Sequence, residues 1–271
     1  MKQLLSMVAT TLVCLLGSAS VVHAQEFGGA VACGTKDPAE FRVLTDGSLY
    51  ASQSEFGTID QSILAASLSR SYCDGTRNGR WRFEGSLARV DQPGGDTSSL
   101  LVGAGYQFAI GERASITPMV RIGYASVRGG DDQTVASVGV SFVSTTILNE
   151  EANRQATWLT FEAVPEYSSW QSTDAGFQGL TLDDGVFTNF AAVGLDFPMG
   201  VSNYRGRARI GHRYIDSDGP TRSITSVILS VRRDPARTMC EGQCWSADLW
   251  LSQGDGDYSS VLIGFSRPFG R

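Results

Sequence analysis

The strongest constraint in this sequence is an alternation of apolar residues with small or polar ones. Between residues 99 and 110 every second residue is apolar, and the residues between them are mostly Gly, Ser or Gln. Because a period of two places alternate side chains on opposite faces of a β-strand, this pattern predicts a strand with two unlike faces. The same alternation recurs up to residue 269, and no segment after residue 24 has a long helical period. The chain is therefore predicted to be all-β.

About twelve segments carry this pattern, most of them roughly nine to twelve residues long, about the length that crosses a bilayer as a tilted strand. They cover approximately residues 41–50, 62–72, 80–90, 99–110, 115–127, 134–145, 157–167, 187–197, 203–214, 223–232, 245–253 and 258–269. Turns rich in Gly and Asp separate several of them, such as 129–132 and 254–257. We expect antiparallel pairing of about ten to twelve strands.

Two architectures fit these two-faced strands. The apolar faces point inward in a soluble, disulfide-linked β-sandwich or lipocalin-like binding protein, and outward to lipid in a transmembrane barrel. Three features favour the barrel: the polar faces are rich in Gly, Ser and charged residues, aromatic residues lie near segment ends, and the last segment carries Phe265 and Phe269. The formal net charge of −6 argues against a nucleic-acid partner.

The N-terminus predicts export. Residues 1–24 have the features of a signal peptide, with Lys2, an apolar core over 4–16 and a small-residue cleavage site at 22–24. We expect residues 25–40 to form an N-terminal periplasmic segment and residues 41–271 to form the barrel. The four remaining cysteines favour disulfides in an exported chain, with Cys240 paired to Cys244 and Cys33 to Cys73. A four-cysteine zinc site is the alternative.

Residues 102–113 and 115–124 resemble hairpins of Gram-negative outer-membrane β-barrels, above all autotransporter-type and porin-like barrels. The resemblance covers approximately residues 80–269 as a pattern and implies an outer-membrane location. It also implies contact with outer-membrane lipid and insertion by the barrel-assembly machinery. Because no large passenger precedes the predicted barrel, ordinary autotransport is not expected.

Loop lengths predict the orientation of the barrel. With both ends of a twelve-stranded barrel in the periplasm, the short turns 111–114 and 198–202 lie on the periplasmic side, and the long 168–186 connection lies outside. That connection is also the expected contact region if the protein binds a partner at the cell surface. The same orientation places the four cysteines on the periplasmic side.

Charged residues on the polar faces are the candidates for function. Four guanidinium groups alternate along 203–214, where lipid exposure would cost each about 2–4 kcal/mol near the midplane. We predict that this face lines the lumen together with other charged positions, and the full set is Arg82, Glu84, Arg121, Glu162, Glu166, Asp196, Arg205, Arg207, Arg209, Arg213 and Asp248. These residues would either line a pore that favours anionic solutes or fill the interior as Arg–carboxylate pairs.

Enzymatic chemistry is not expected. The one histidine of the predicted mature chain, His212, shares a face with Ile210 and Tyr214, which predicts a lipid-boundary position. No Ser–His–acid set accompanies it, and no metal-binding, nucleotide-binding or haem motif occurs, so we expect no catalytic site, metal or cofactor. The sequence therefore predicts a small outer-membrane barrel that is structural or passes small solutes.

Overall fold

The computed structural model describes twelve ranges of the chain: residues 43–56, 59–73, 79–92, 95–110, 113–128, 131–149, 156–172, 185–199, 204–217, 221–233, 245–255 and 257–269. Within these ranges, no helix is long and apolar enough to cross a membrane. The predicted signal peptide, the predicted periplasmic segment and the residues Cys33, Cys240 and Cys244 lie outside the described residues. Cys73 is the last residue of a strand.

Twelve antiparallel strands form the described chain. They are β1 (Val43–Phe56), β2 (Ile59–Cys73), β3 (Gly79–Gln92), β4 (Gly95–Ile110), β5 (Ala114–Val127), β6 (Gln133–Asn149), β7 (Thr157–Ser172), β8 (Gly185–Pro198), β9 (Tyr204–Asp216), β10 (Arg222–Arg233), β11 (Ser246–Gly254) and β12 (Tyr258–Phe269). Each strand pairs with the next along the chain, and β1 also pairs with β12. The sheet is a closed barrel, so no edge strand leaves its backbone groups unpaired.

The seam between the first and last strands runs along nearly the whole of both. It extends from Thr45 opposite Phe269 to Phe56 opposite Tyr258. We call the end of the barrel that carries Thr45 and Phe269 the proximal end, and the opposite one the distal end. The connections after β1, β3, β5, β7, β9 and β11 lie at the distal end because the strands alternate in direction.

The outer surface of the barrel is apolar. Exposed apolar side chains alternate with buried polar ones along most strands, and examples are Leu87 at 58%, Val120 at 59% and Ile263 at 62% exposure. A soluble fold would bury such side chains, whereas hydrocarbon solvates them without cost. This distribution is the inside-out arrangement of a transmembrane barrel and argues against the soluble sandwich.

Aromatic side chains gather on the outer surface toward the proximal end. Trp81 packs edge-on against Tyr106 at 5.0 Å between ring centroids, and Trp245 stacks on Phe265 at 6.1 Å. Tyr124 and Tyr214 are exposed nearer the distal ends of their strands. Amphipathic rings of this kind prefer the membrane–water interface, which fits the aromatic residues that the sequence places near segment ends.

Several strands are longer than the sequence predicts. β1 extends to residue 56 instead of 50, β4 begins at residue 95 instead of 99, and β7 ends at residue 172 instead of 167. The added segments contain mainly polar residues and therefore show no apolar alternation. The predicted outer loop 168–186 is correspondingly shorter, because only residues 173–184 separate β7 from β8.

Candidate functional site

All eleven side chains proposed to line the lumen are buried in the barrel interior. Ten of these residues are less than a tenth exposed, and the side chain of Glu84 is 5% exposed. They lie on β3, β5, β7, β8, β9 and β11 and alternate with exposed apolar side chains. Barrel closure therefore brings charged residues that are far apart in sequence into one interior.

One group, the Arg121 network, links three strands. Arg121 on β5 donates from Nε to Oε1 of Glu84 on β3 at 2.5 Å, and from Nη1 to Oε2 of Glu166 on β7 at 2.8 Å. Nε of Arg82 lies 3.8 Å from the second carboxylate oxygen of Glu84. A guanidinium group suits this position because its planar set of donors can bind two carboxylates at once.

A second group, the Asp196 network, gathers three arginines around one fully buried carboxylate. Arg205 donates from Nε to Oδ1 of Asp196 at 2.5 Å, while Nη2 of Arg232 lies 3.0 Å from Oδ2. Nη2 of Arg207 lies 3.5 Å from the same oxygen. Arg205 also donates to the Ala156 carbonyl oxygen at 2.7 Å. Asp196 therefore compensates only part of the positive charge around it.

The remaining four candidates, Glu162, Arg209, Arg213 and Asp248, lie outside these two networks. Arg209 donates from Nη1 to Oε2 of Glu162 at 2.8 Å, and both side chains are almost completely buried. The guanidinium carbon of Arg213 lies 5.7 Å from the ring centroid of Phe190, within the range of a cation–π interaction. Asp248 is buried on β11, directly opposite Ser230 of β10 in the strand register.

Two glycines make room for these charged side chains. In the strand register Gly103 lies between Glu84 and Arg121, and a Cβ atom there would be 2.9 Å from Cγ of Arg121. Gly194 lies opposite Arg209, and a Cβ atom there would be 2.5 Å from the Ala208 carbonyl oxygen. Both contacts are closer than a side chain tolerates, so the charged layer requires small residues in the barrel wall.

Sequence reasoning missed two interior arginines, Arg80 and Arg232. Arg80 is 3% exposed and donates from Nε to Gln107 on β4. Arg232 is 7% exposed and binds Asp196. A signal was available for both, because residues two apart share a face of a strand: Arg80 shares one with Arg82, and Arg232 shares one with Ser226 and Ser230.

Apolar side chains fill a separate layer of the interior near the distal end. Trp170 on β7 packs against three clusters that come from strands on both sides of it. We call Trp170 and these residues the distal apolar layer, and its buried members are Val90, Leu101, Ala125, Val135, Val186, Ile215 and Ile224. Because the members of these three clusters come from β3 to β6 and from β8 to β10, the Trp170 side chain joins apolar groups from both sides of β7 inside the barrel.

A mid-barrel apolar cluster adjoins the charged residues on one side of the barrel. The rings of Phe190 on β8 and Trp250 on β11 stack at 6.4 Å between centroids, although two strands separate β8 from β11. The cluster also contains Val164, Ala192, Ile228 and Leu262. Because Arg209 lies directly opposite Ile228 in the register, charged and apolar side chains share this level of the interior.

His212 is exposed on the outer wall, with Nδ1 3.3 Å from Oγ1 of Thr225. Its outward direction agrees with the lipid-boundary position expected from the sequence. Among the described residues, no group of three or more His, Cys, Asp or Glu side chains is arranged to hold a metal ion.

Comparisons with solved structures agree on the fold, whereas comparisons of the sequence find no match. No protein-family model matches the sequence, and no curated protein matches it. The structure is similar to the β domain of the Bordetella autotransporter BrkA, with a TM-score of 0.60, 13% identity, and coverage of 84% of this chain and 99% of that one. It is also similar to the translocator domain of the autotransporter NalP from Neisseria meningitidis, with a TM-score of 0.56, 12% identity and 98% coverage of both chains.

An outer-membrane channel from Pseudomonas putida is similar as well, with a TM-score of 0.51, 11% identity, and coverage of 87% of this chain and 100% of that one. The chain therefore has the fold of outer-membrane β-barrels. The predicted fold class and the resemblance to autotransporter-type and porin-like barrels are confirmed.

Proposed function

We propose that this protein is a small integral outer-membrane barrel that passes small anionic solutes through its arginine-lined interior. The proposal includes an outer-membrane location, contact with outer-membrane lipid, insertion by the barrel-assembly machinery and the absence of catalysis. The apolar outer wall supports the location, because exposing so large an apolar surface to water is unfavourable, whereas lipid accommodates it.

The observation that carries the proposal is an excess of positive charge in the described part of the interior, within a protein that is acidic as a whole. The described interior buries eight arginines, the six predicted ones with Arg80 and Arg232, against five carboxylates. The whole chain carries a formal net charge of −6. An interior that is more positive than the rest of the protein lowers the free energy of an entering anion and raises that of a cation.

The interior also limits the size of the solute. Arg121 bridges Glu84 and Glu166, and Arg209 binds Glu162, so side chains extend from the wall into the passage. A passage between such side chains suits small anions rather than oligosaccharides. Because Asp196 faces three arginines, the charge that attracts the solute is concentrated in the proximal half.

Ion selectivity tests this proposal directly. The purified barrel is placed in a planar bilayer with a KCl gradient, and the reversal potential gives the ratio of anion to cation permeability. We expect the wild type to prefer chloride. Arg207→Glu changes the described interior from an excess of three positive charges to an excess of one, so its anion preference should fall or invert.

Two further variants control this experiment. Arg89→Glu makes the same change of charge on the outer surface, where the arginine side chain is 59% exposed, and should leave the reversal potential unchanged. Arg207→Gln tests for loss of charge with less disturbance of the interior and should shift the reversal potential about half as far. A cation preference in the wild type, or equal effects of Arg89→Glu and Arg207→Glu, would refute the proposal.

A second candidate is a structural barrel without passage, which the distal apolar layer favours. Trp170 and its neighbours close the interior to water-filled passage if they stay packed, because an ion pays a desolvation cost in such a layer. Trp170→Ala should raise conductance if a passage exists beneath this layer. If both the wild type and Trp170→Ala, folded in the same bilayer, fail to conduct, the structural barrel is correct.

A further inference from the structure

One guanidinium group in the barrel interior uses only part of its donor set. Arg209 on β9 is 2% exposed and donates from Nη1 to Oε2 of Glu162. Its Nε and Nη2 atoms have no hydrogen-bond partner among the described residues. These two atoms form one edge of the planar group, the edge that can donate to both oxygens of a single carboxylate. Arg209 can therefore bind a second carboxylate while it keeps Glu162.

The arginines at the centres of the two networks use their donors more fully. Arg205 donates from Nε to the Asp196 carboxylate and from Nη2 to backbone carbonyl oxygens. Arg121 donates from Nε and from Nη1 to two different carboxylates. Arg209 is as deeply buried as these two side chains but binds one carboxylate through one nitrogen. Its remaining edge is therefore a candidate binding group for an anion that enters the barrel.

Strand register places two more donors on the same level as Arg209. We call this level the mid-barrel row, and its inward-facing residues lie directly opposite one another on β7 to β12: Thr160, Gly194, Arg209, Ile228, Trp250 and Leu262. The Thr160 hydroxyl and the Trp250 indole N–H, both on side chains that are 5% exposed, meet no hydrogen-bond partner within the part of the chain that the structure describes. A buried donor gains from an acceptor, so the row favours a ligand with acceptor oxygens.

The two sides of Arg209 differ in polarity. On one side Gly194 contributes no side chain, so the next side chain of the row is Thr160. On the other side Ile228, Trp250 and Leu262 follow in order, and all three belong to the mid-barrel apolar cluster. A ligand that is polar at one end and apolar at the other matches this order, because its apolar end leaves water for an apolar surface.

Positive charge surrounds the polar side of the row. Glu162 is close enough to Arg82, Arg207 and Arg209 to interact electrostatically with each of them. A negatively charged group beside Arg209 therefore enters a region in which arginines outnumber carboxylates. This arrangement favours an anionic head group over a neutral one.

We propose that the mid-barrel row binds a small monocarboxylate with an apolar body. The carboxylate accepts hydrogen bonds from the Nε–Nη2 edge of Arg209 and from the Thr160 hydroxyl, and the apolar body contacts Ile228 and the ring of Trp250. The inference deepens the proposed function by naming the class of solute, and it rests on that function for the entry of the solute into the interior.

Isothermal titration calorimetry of the detergent-solubilised full chain tests the proposal, with benzoate as the probe. Acetate has the same head group with only a methyl group as its body, and phosphate has acceptor oxygens and charge without an apolar body. We expect saturable binding of one benzoate per barrel. The affinities for acetate and for phosphate should each be at least tenfold lower, because neither buries a comparable apolar area.

Two variants locate the binding site. Arg209→Lys keeps a positive charge beside Glu162 but removes the two-donor edge, and it should weaken benzoate binding about tenfold. Thr160→Val removes the hydroxyl with little change of shape and should weaken binding about threefold. Arg89→Lys is the matched control, because it makes the same substitution on the outer surface, where the arginine side chain is 59% exposed, and should leave the affinity unchanged.

Mobility on an unboiled gel shows whether each variant is folded. Benzoate affinity that is equal in wild type and folded Arg209→Lys would overturn the proposal, as would acetate or phosphate binding as tightly as benzoate. If Arg209→Lys does not fold, unchanged affinity in Thr160→Val overturns it instead. Calorimetry does not depend on ion flow, so the two proposals fail separately. Chloride preference without benzoate binding refutes only this inference, and benzoate binding to a barrel without anion preference refutes only the proposed passage.

Discussion

Removal of the Asp196 carboxylate should strongly destabilise the barrel. Asp196 is fully buried and is the acceptor for Arg205 and Arg232 at 2.5 and 3.0 Å, with Arg207 at 3.5 Å from the same group. Asp196→Ala leaves these arginines facing one another and increases the excess of positive charge. Its effect is therefore larger than the loss of two hydrogen bonds between neutral groups.

The magnitude follows from the two shorter contacts. A hydrogen bond to a charged group contributes about 1.5–3 kcal/mol, so two of them set an upper range of about 3–6 kcal/mol. Arg205 keeps its hydrogen bond to the Ala156 carbonyl oxygen, which reduces the loss. We expect a decrease of about 3–5 kcal/mol in the free energy of unfolding, the range found when one partner of a buried ion pair is removed. Asp196→Asn keeps an acceptor oxygen and should cost about half as much.

Unfolding in urea, followed by the mobility of unboiled samples on a gel, measures this decrease. The change in midpoint multiplied by the urea dependence gives the difference in free energy. Asp131→Ala, at an exposed position between β5 and β6, is the control and should change stability by less than about 0.5 kcal/mol. Arg232→Met combined with Asp196→Ala should recover part of the loss, since it removes one of the positive charges that surround the vacated position. The reasoning fails if Asp196→Ala is as stable as Asp131→Ala.

Three other substitutions test other parts of the fold with the same unfolding assay. Gly194→Val places a branched side chain against Arg209 and should cost about 1–3 kcal/mol, the usual effect of overpacking; an unchanged midpoint would show that the wall is not tightly packed there. Val120→Arg places a charge on the lipid-facing wall and should cost about 2–4 kcal/mol in a bilayer, whereas the same change at exposed Ser98 near the distal end should cost less than about 1 kcal/mol. Arg121→Met leaves Glu84 and Glu166 without this guanidinium and should cost about 3–5 kcal/mol, and the double variant with Glu166→Gln should be more stable than Arg121→Met alone.

The number and direction of the strands could be predicted because their central residues alternate strictly. The ends of the strands could not, since residues such as Gly95 and Asp96 are paired by backbone hydrogen bonds that leave no apolar period in the sequence. The same reasoning explains β7, whose last residues were assigned to a loop. Backbone pairing continues past the membrane-facing residues, where hydrophobic patterning ends.

The sequence predicted eleven charged residues on inward faces, and all eleven are buried, but it missed Arg80 and Arg232 and did not predict which residues meet. Arg121 binds Glu84 and Glu166, which are 37 and 45 positions away in the chain, and only the register of intervening strands brings them together. The distal apolar layer was missed for a related reason. Trp170 lies outside the predicted strand 157–167, and its contacts come from strands on both sides of β7.

The two halves of the interior lie in series along the barrel axis, and this order makes the protein electrically asymmetric. Under the proposed function, an anion driven from the proximal end would first enter the arginine-rich half, where its local concentration is raised, and would then reach the distal apolar layer. An anion driven from the distal end would meet the apolar layer first, without having passed through a region that raises its local concentration. Any current through the barrel should therefore rectify, with the larger flow of anions running from the proximal to the distal end.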